Sequence, residues 1–244
     1  MIYGIISDIH ANLEALTVAI NYLIEQGVSE IFCCGDIVGY GPDPSGCISF
    51  LKRYNFKSVH GNHDRAILTD SIGIYFNEDA LVALNIQKFI VSSKDIEFLK
   101  RLPFAITENN FLITHSFLNK KDPFKYVLDR DTAKEDMELA KKQILFIGHS
   151  HIPSCFTFED KNIQYSDAFN GLEILIERDK KYLVNVGSIG QPRDGNPRLS
   201  LCIYDVDKNK IRIVRLTYPV NLTMQKMKEK EFPKNLYNRL VIGY

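Results

Sequence analysis

The sequence predicts an α/β fold, and two observations support this prediction. Up to about residue 150, short apolar runs alternate with amphipathic helical patterns, as in β-α-β units. From about residue 155 to 217 the pattern changes to mainly strands, which indicates a second sheet. The length of 244 residues, with 45% hydrophobic residues, fits one globular domain with a substantial core. We therefore expect a single domain over residues 1–244, with two facing sheets.

The opening segment predicts a strand followed by a helix. Residues 2–7 form a buried apolar run, and residues 12–26 carry leucine and isoleucine at helical spacing. Asn12 is the predicted N-cap and Gly27 lies just past the helix end. The same patterns predict strands at 30–34, 56–60, 111–114, 144–147, 173–177, 182–187, 199–205 and 210–216, a loop at 35–46, and helices at 77–91, 93–101 and 130–141. The last 25 or so residues read as helical cover.

Composition excludes several classes of function. Lys plus Arg and Asp plus Glu are equal at 30 each, so the chain has no electrostatic bias toward nucleic acid or an anionic membrane. The N-terminal segment lacks a signal-peptide pattern, and no stretch is apolar enough to span a membrane. Five cysteines, with Cys33 and Cys34 adjacent, predict reduced packing residues rather than a disulfide framework or a zinc ribbon. We expect a cytoplasmic protein, and its oligomeric state cannot be read from the sequence.

Short motifs rich in His, Asp and Asn follow the ends of five predicted strands. They are Asp8-Ile9-His10, Gly35-Asp36, Gly61-Asn62-His63-Asp64, His115, and His149-Ser150-His151. Ligands bind at this edge of an open α/β sheet. In an extended segment, residues two apart project to the same side, so each Asp-x-His or His-x-His pair is expected to converge on one site. The glycines at 35, 61 and 148 are expected to allow sharp turns and to remove bulk near the ligands.

These residue types predict a centre of two divalent metal ions. Neutral imidazole, carboxylate and amide oxygen are ligands that Mn, Fe, Zn and Ni all accept, and we favour Mn. Asp8 and Asp36 offset only half of the charge of two such ions, so a bridging water should ionise near neutral pH and serve as the nucleophile. His63 is the candidate general acid for the leaving group. Asp64 is expected to orient His63 or a ligand. The pattern therefore indicates a metal-dependent phosphoester hydrolase.

In this order, the motifs from Ile5 to His151 resemble those of the calcineurin-like metallophosphoesterase superfamily: Asp-x-His, Gly-Asp, Gly-Asn-His-Asp, a single His and Gly-His-x-His. The resemblance implies a four-layer α/β/β/α sandwich of two mixed sheets. It also implies two metal sites that share Asp36 and a catalytic role for His63. One site would use Asp8, His10, Asp36 and His151, and the other would use Asp36, Asn62, His115 and His149.

Two further stretches, Gly35–Pro44 and Asn185–Gly195, resemble a bacterial and archaeal branch of small phosphodiesterases, some of which act on dinucleoside polyphosphates. Protein serine/threonine phosphatases carry an Asp-Arg pair where this chain has Gly39 and Tyr40, so protein phosphatase activity is not expected. The His115 block reads His-Ser-Phe, whereas His-Gly-Ser-Pro is more usual in the branch, but the ligand is retained.

Alternatives remain open at the substrate-binding positions and for the activity. Tyr40 either lines the substrate pocket or only closes a Gly-Tyr-Gly turn, and Arg193 either grips a phosphate or pairs with Asp194 or a loop carbonyl. Lys120 and Lys121 are most simply solvated. The favoured function is a phosphodiesterase acting on a small phosphoester or nucleotide. The alternatives are a hydrolase of dinucleoside polyphosphates of the diadenosine tetraphosphate type, a phosphomonoesterase, and a non-catalytic interaction scaffold.

Overall fold

Two facing six-stranded sheets form the centre of the protein. The computed structural model describes residues 1–69, 76–160 and 162–244. In chain order the strands of this part are β1 (Ile2–Ile6), β2 (Glu30–Cys33), β3 (Lys57–Ser58), β4 (Ala105–Thr107), β5 (Phe111–Thr114), β6 (Ile144–Ile147), β7 (Ser154–Glu159), β8 (Asn162–Asp167), β9 (Leu172–Leu175), β10 (Lys181–Asn185), β11 (Leu199–Asp205) and β12 (Lys210–Leu216). The first sheet has the order β3-β2-β1-β11-β12-β9, and the second has the order β4-β5-β6-β10-β7-β8.

Helices cover the outer face of each sheet. They are α1 (Leu13–Glu25), α2 (Pro44–Arg53), α3 (Asn62–Ala66), α4 (Glu78–Ile90), α5 (Ser93–Lys100), α6 (Arg130–Ala140), α7 (Val220–Glu229) and α8 (Lys234–Asn238), followed by a 3₁₀ turn at Arg239–Val241. Helix α1 packs on the first sheet and α6 packs on the second, which gives the four layers expected from the resemblance. None of the helices in the described ranges is long and apolar enough to cross a membrane.

The core between the sheets is aromatic. The rings of Tyr3, Phe32, Phe111 and Phe146 meet mainly edge to face, with neighbouring centroids 5.2 to 5.6 Å apart, a geometry that aromatic quadrupoles favour. All five cysteines are buried and free, which confirms their role as packing residues. This rigid layer fixes the relative position of the two sheet edges that carry the candidate ligands.

Most predicted elements are confirmed within a few residues, and the differences are local. Asn12 caps α1 as expected, since its Oδ1 accepts a hydrogen bond from the Ala15 amide. Strand β3 is shorter than the predicted 56–60, and the 35–46 loop ends earlier because α2 begins at Pro44. Strand β4 and helix α3 were not predicted, because segments of three and five residues are too short to show a period.

Candidate metal centre

The seven predicted metal ligands meet where the carboxyl ends of parallel strands reach one edge of the molecule. Strands β1, β2 and β3 are parallel in the first sheet, and β5, β6 and β10 are parallel in the second. The ligands follow β1 (Asp8, His10), β2 (Asp36), β3 (Asn62), β5 (His115) and β6 (His149, His151). Six of the seven are buried, and Asn62 is half-buried. The fold therefore brings together residues from both sheets that are up to 143 positions apart in sequence.

Asp8, His10 and His151 form the first cluster. The Nε2 atoms of the two histidines lie 3.1 Å apart, and Asp8 Oδ1 is 3.2 Å from His151 Nε2 and 3.7 Å from His10 Nε2. The second oxygen of Asp8 accepts a hydrogen bond from the His149 amide at 2.9 Å. Asp8 Oδ1 is buried and has no hydrogen-bond partner in the described part of the chain. A buried anionic oxygen without a donor is suited to a cation.

Asn62, His115 and His149 form the second cluster, and Asp36 lies between the two. His115 Nε2 is 3.0 Å from Asn62 Oδ1 and 3.1 Å from His149 Nδ1. Asp36 Oδ2 is 3.4 Å from His115 Nε2 and 3.7 Å from His10 Nε2, so one oxygen faces both clusters. The other oxygen accepts a hydrogen bond from the His63 amide at 2.8 Å. This is the position that a carboxylate bridging two ions would occupy.

Backbone carbonyls hold the outer nitrogen of every ligand histidine. The acceptors are Val38 O for His10 Nδ1 at 3.1 Å, Cys34 O for His115 Nδ1 at 2.8 Å, Phe124 O for His149 Nε2 at 2.8 Å, and Gln191 O for His151 Nδ1. A carbonyl only accepts, so each outer nitrogen carries a proton, and in a neutral ring the inner nitrogen presents a lone pair to the site. This arrangement is typical of metal-ligating histidines.

The electrostatics of the two clusters fit divalent cations. Burial acts to lower the pKa of His115, but the carboxylates of Asp36 and Asp8, together with the Cys34 carbonyl, outweigh it and raise the pKa to about 9. Burial, together with His115, lowers the pKa of His149 to about 3. One ring thus holds a proton while its neighbour 3.1 Å away stays neutral, which indicates that the cluster requires positive charge. Divalent ions would supply it at the inner nitrogens.

The backbone reason for the convergence differs from the one expected. The expected convergence depends on extended segments, in which residues two apart share a side. Instead, Asp8, His10, His149 and His151 all have left-handed backbones, with φ of 52°, 47°, 66° and 61°. Asp36 has φ of 52° as well. Non-glycine residues rarely adopt this conformation, and its repetition at five ligands is typical of strain held at a functional site.

The glycines beside the ligands provide space. A Cβ atom on Gly61 would overlap the Asp36 carboxylate, and one on Gly148 would overlap Ser7 Oγ and Asp8 Oδ2. Both glycines therefore let the carboxylates approach the backbone closely, as predicted. Among the three glycines considered, only Gly35 has a positive φ, at 95°, so the expected sharp turn is found there alone.

The Asn185–Gly195 stretch ties the two ligand loops together. Asn185 Nδ2 donates to Gly148 O at 2.7 Å, and Ser188 Oγ donates to Asp8 O at 2.8 Å. Gln191 accepts from His151 through its backbone carbonyl and from Arg193 through its side chain. This stretch therefore positions ligands from both sheets.

His63 and Asp64 have different surroundings. The buried His63 ring lies between Tyr40, His10 and Phe76, with centroids 4.4, 4.8 and 4.5 Å away, and burial lowers its pKa to about 4. The Asp64 carboxylate accepts hydrogen bonds from the backbone amides of residues 37, 38 and 61, at 2.9, 3.2 and 2.9 Å. Asp64 thus joins the Asp36 loop to the start of α3, rather than forming a hydrogen bond with the His63 ring in the described structure.

A cavity of about 600 Å³ is lined by four of the candidate ligands, Asp36, Asn62, His149 and His151, and by His63. Tyr40 and Arg193 both line it, with Arg193 Cζ 5.5 Å from the centre of the Tyr40 ring. Tyr40 also has φ of 55°, which is consistent with its place in the Gly-Tyr-Gly turn. It therefore closes this turn and also lines the cavity. Arg193 does not pair with Asp194, whose carboxylate binds Arg215.

Other lining residues were not found from the sequence. They are Phe76, Asn77, Lys121, Asp122, Pro123, Phe124, Tyr126 and Arg239. Lys121 is exposed, as expected, and it also lines the cavity. No local motif marks these positions, because loops and the C-terminal segment bring them to the site.

Comparison with known proteins identifies the family to which this chain belongs. The profile of the calcineurin-like phosphoesterase superfamily domain matches residues 1–209. An uncharacterized protein of Methanocaldococcus jannaschii is 37% identical over 244 residues, covering 98% of this chain and 97% of the relative.

Solved structures share the fold. A metallophosphoesterase from Sphaerobacter thermophilus has a TM-score of 0.85 and 28% identity, over 100% of this chain and 99% of that one. A hypothetical protein from Pyrococcus horikoshii has a TM-score of 0.79 over 100% and 98% of the two chains, and at 18% identity it supports the fold alone. The predicted fold of two facing mixed sheets is therefore confirmed.

Proposed function

Because the chain belongs to the calcineurin-like phosphoesterase superfamily, we propose that it is a two-metal phosphodiesterase acting on a small phosphoester or nucleotide. The observation that carries this proposal is the Asp36 oxygen that faces both histidine clusters, 3.4 Å from His115 and 3.7 Å from His10. One ion would be held by Asp8, His10, Asp36 and His151, and the other by Asp36, Asn62, His115 and His149. We favour Mn over Fe, Zn or Ni. Such ions, when bound, ionise water near neutral pH and attract phosphate oxygens.

In this proposal His63 protonates the leaving group. Its Nδ1 lies against the backbone of Gly39 and has no hydrogen-bond partner within the described ranges, so Nε2 is the nitrogen available to a substrate. Burial keeps the free ring neutral by lowering its pKa to about 4, whereas the Asp36 carboxylate acts to raise it. An anionic substrate beside the ring would act in the same direction as Asp36 and favour the protonated form that a general acid needs.

Aromatic walls support a nucleotide as the substrate. Phe76, Phe124 and Tyr126 line the cavity beside the ligand histidines, and a volume of about 600 Å³ falls in the range of small-molecule sites. Such rings offer stacking surfaces for a base. All seven candidate ligands and His63 are present in the chain, and four of these ligands line the cavity together with His63, which favours an enzyme over a scaffold. A cytoplasmic location remains part of this proposal, and five buried free thiols agree with it.

The test is hydrolysis of a chromogenic phosphodiester beside the matching monoester, on chelator-stripped protein before and after Mn is restored. We expect diester hydrolysis that depends on Mn and exceeds monoester hydrolysis. Asn62→Ala and His149→Ala should lose both bound metal and activity, because each removes a ligand. Faster hydrolysis of the monoester would refute the diester specificity. No hydrolysis of either ester by protein with two bound ions would refute the phosphodiesterase.

A further inference from the structure

Two arginines from distant parts of the chain line the cavity beside the metal ligands. Arg193 lies in the Asn185–Gly195 stretch, and Arg239 begins the 3₁₀ turn near the C-terminus. Arg239 lies outside residues 1–209, which the family profile matches. The helical cover at the C-terminus therefore contributes a charged group to the site.

The guanidinium of Arg239 has no partner in the described part of the chain. Arg239 is half-buried, yet its side chain forms no hydrogen bond or ion pair there. Burial and the charge of Arg193 both lower its pKa, so the environment opposes its positive charge. Asp79 also acts on Arg239, but forms no ion pair with it. An Asp79 oxygen instead accepts a hydrogen bond from Asn235 at 3.0 Å.

Arg193 also has no carboxylate partner in the described part of the chain. Its guanidinium donates to Gln191 Oε1 at 2.9 and 3.3 Å, which is a neutral acceptor. The adjacent carboxylate of Asp194 is bound by Arg215. No carboxylate among the described residues therefore offsets the charge of Arg193, and its Cζ lies 5.5 Å from the centre of the Tyr40 ring, a cation–π contact that favours this position of the planar fork.

The cavity beyond the metal ligands has an excess of positive charge. Its lining outside the ligand set contains three cations, Lys121, Arg193 and Arg239, against one carboxylate, Asp122. Like charges in a partly desolvated cavity repel each other unless an anion lies between them. One phosphate at the metal centre does not remove this excess, since the metal charge itself attracts that phosphate.

We propose that Arg193 and Arg239 bind a second phosphate of the substrate, so that the preferred substrate carries two phosphate groups. One phosphate reacts at the metal centre, and the other lies in the fork of the two guanidinium groups, which bind phosphate oxygens in bidentate fashion. This inference rests on the proposed function for the reacting phosphate. The second phosphate is joined to the first through an anhydride or is carried on another ester oxygen of the same molecule.

The experiment compares adenosine monophosphate with adenosine diphosphate, which differ by one phosphate. Their dissociation constants are measured by calorimetry on the Mn-loaded protein at constant free Mn. We expect the diphosphate to bind at least about tenfold more tightly, as for charge-assisted hydrogen bonds. Arg239→Gln should remove most of this preference, and Arg239→Lys should retain part of it. Lys234→Gln, which removes an exposed cation from the neighbouring helix α8, should keep the wild-type ratio.

Adenosine 3′,5′-bisphosphate distinguishes the two sources of the second phosphate. An Arg239-dependent preference for the diphosphate indicates an anhydride, and the same preference for the bisphosphate indicates a second ester. For the diphosphate and for the bisphosphate, the affinity relative to adenosine monophosphate is compared between the wild type and Arg239→Gln. If this ratio is the same in both proteins for both ligands, and thermal stability is unchanged, the inference is overturned. The phosphodiesterase would still stand if the single-phosphate chromogenic diester were hydrolysed. Conversely, the protein could bind the diphosphate more tightly in an Arg239-dependent way and yet hydrolyse no diester. That result would support the second phosphate site and refute the phosphodiesterase.

Discussion

The Nε2 atoms of His10 and His151 face each other at 3.1 Å, and the Nδ1 atom of each ring is bound to a backbone carbonyl. Both carbonyls require a proton on Nδ1, so both Nε2 atoms present lone pairs. Two lone pairs at this distance repel unless a cation lies near them. The inner nitrogens of His115 and His149 also lie 3.1 Å apart, but there the raised pKa of His115 supplies a proton between the two rings. Metal binding would therefore relieve an unfavourable contact between His10 and His151.

Metal binding should stabilise the fold. At free Mn about 100 times the dissociation constant, each occupied site contributes about 2.7 kcal/mol to the free energy of unfolding. For a chain of this size, this corresponds to a rise in Tm of roughly 5–10 °C per site. Thermal unfolding of chelator-treated protein with and without added Mn measures the shift. His151→Ala should lower the shift, since one cluster loses a ligand. An identical Tm in chelator and in Mn would contradict two bound ions.

Tyr126 is expected to position a metal ligand. Its ring stacks on His149 with centroids 4.2 Å apart and an interplanar angle of 13°, while Phe124 O holds His149 Nε2. Tyr126→Ala should weaken Mn binding about tenfold, as for other groups that orient ligands, whereas Tyr126→Phe should retain the affinity. Competition with a metal-sensitive dye gives the dissociation constants. Because Tyr126 is 46% exposed, the free energy of unfolding without metal should change little. Equal Mn affinities of the Ala and Phe variants would rule out this role.

His63→Ala should keep both metals and lose turnover in a way that depends on the leaving group. General acid catalysis contributes roughly 10²–10⁴-fold, so a diester with an alkyl leaving group should slow by about that factor. A diester with a nitrophenolate leaving group needs little protonation and should be affected much less. Turnover of a series of diesters of graded leaving-group pKa, with metal content measured in parallel, tests this. The general-acid role is wrong if the alkyl diester is hydrolysed at the wild-type rate.

The sequence predicted the two-sheet fold because hydrophobic periodicity marks strands and helices directly. It also named the residues that line the two clusters, since each motif follows a strand end. It could not predict the left-handed backbones of Asp8 and His151, because only long-range contacts hold that conformation. The Phe124 carbonyl and the Arg239 guanidinium were missed for a similar reason. A carbonyl has no residue signature, and Arg239 reaches the cavity only when the C-terminal segment packs beside it.

Asp136 supports the loop that leads to one wall of the cavity. It is fully buried in helix α6, and its Oδ1 accepts a hydrogen bond from the Leu118 amide at 2.7 Å. Its Oδ2 has no hydrogen-bond partner in the described chain. Burial raises its pKa to about 7 from an ordinary value of 3.8. Asp136 therefore carries a penalty for ionisation in the folded state.

The stability of the protein should consequently fall as the pH rises from 5 to 8, relative to an Asp136→Asn variant. In this window the unfolded chain has already lost the Asp136 proton, while the folded protein binds it until the pH passes its raised pKa. The free energy of unfolding therefore decreases as the pH rises, by about 2 kcal/mol between pH 5 and pH 8. The neutral amide of Asn removes this dependence and keeps an acceptor for Leu118. Urea unfolding at pH 5 and pH 8, in the presence of chelator, measures the free energy of unfolding of the wild type and of Asp136→Asn. The control is Glu138→Gln, on the exposed face of the same helix. If the gap between the wild type and Asp136→Asn were the same at both pH values, the buried carboxyl would not titrate as the structure indicates.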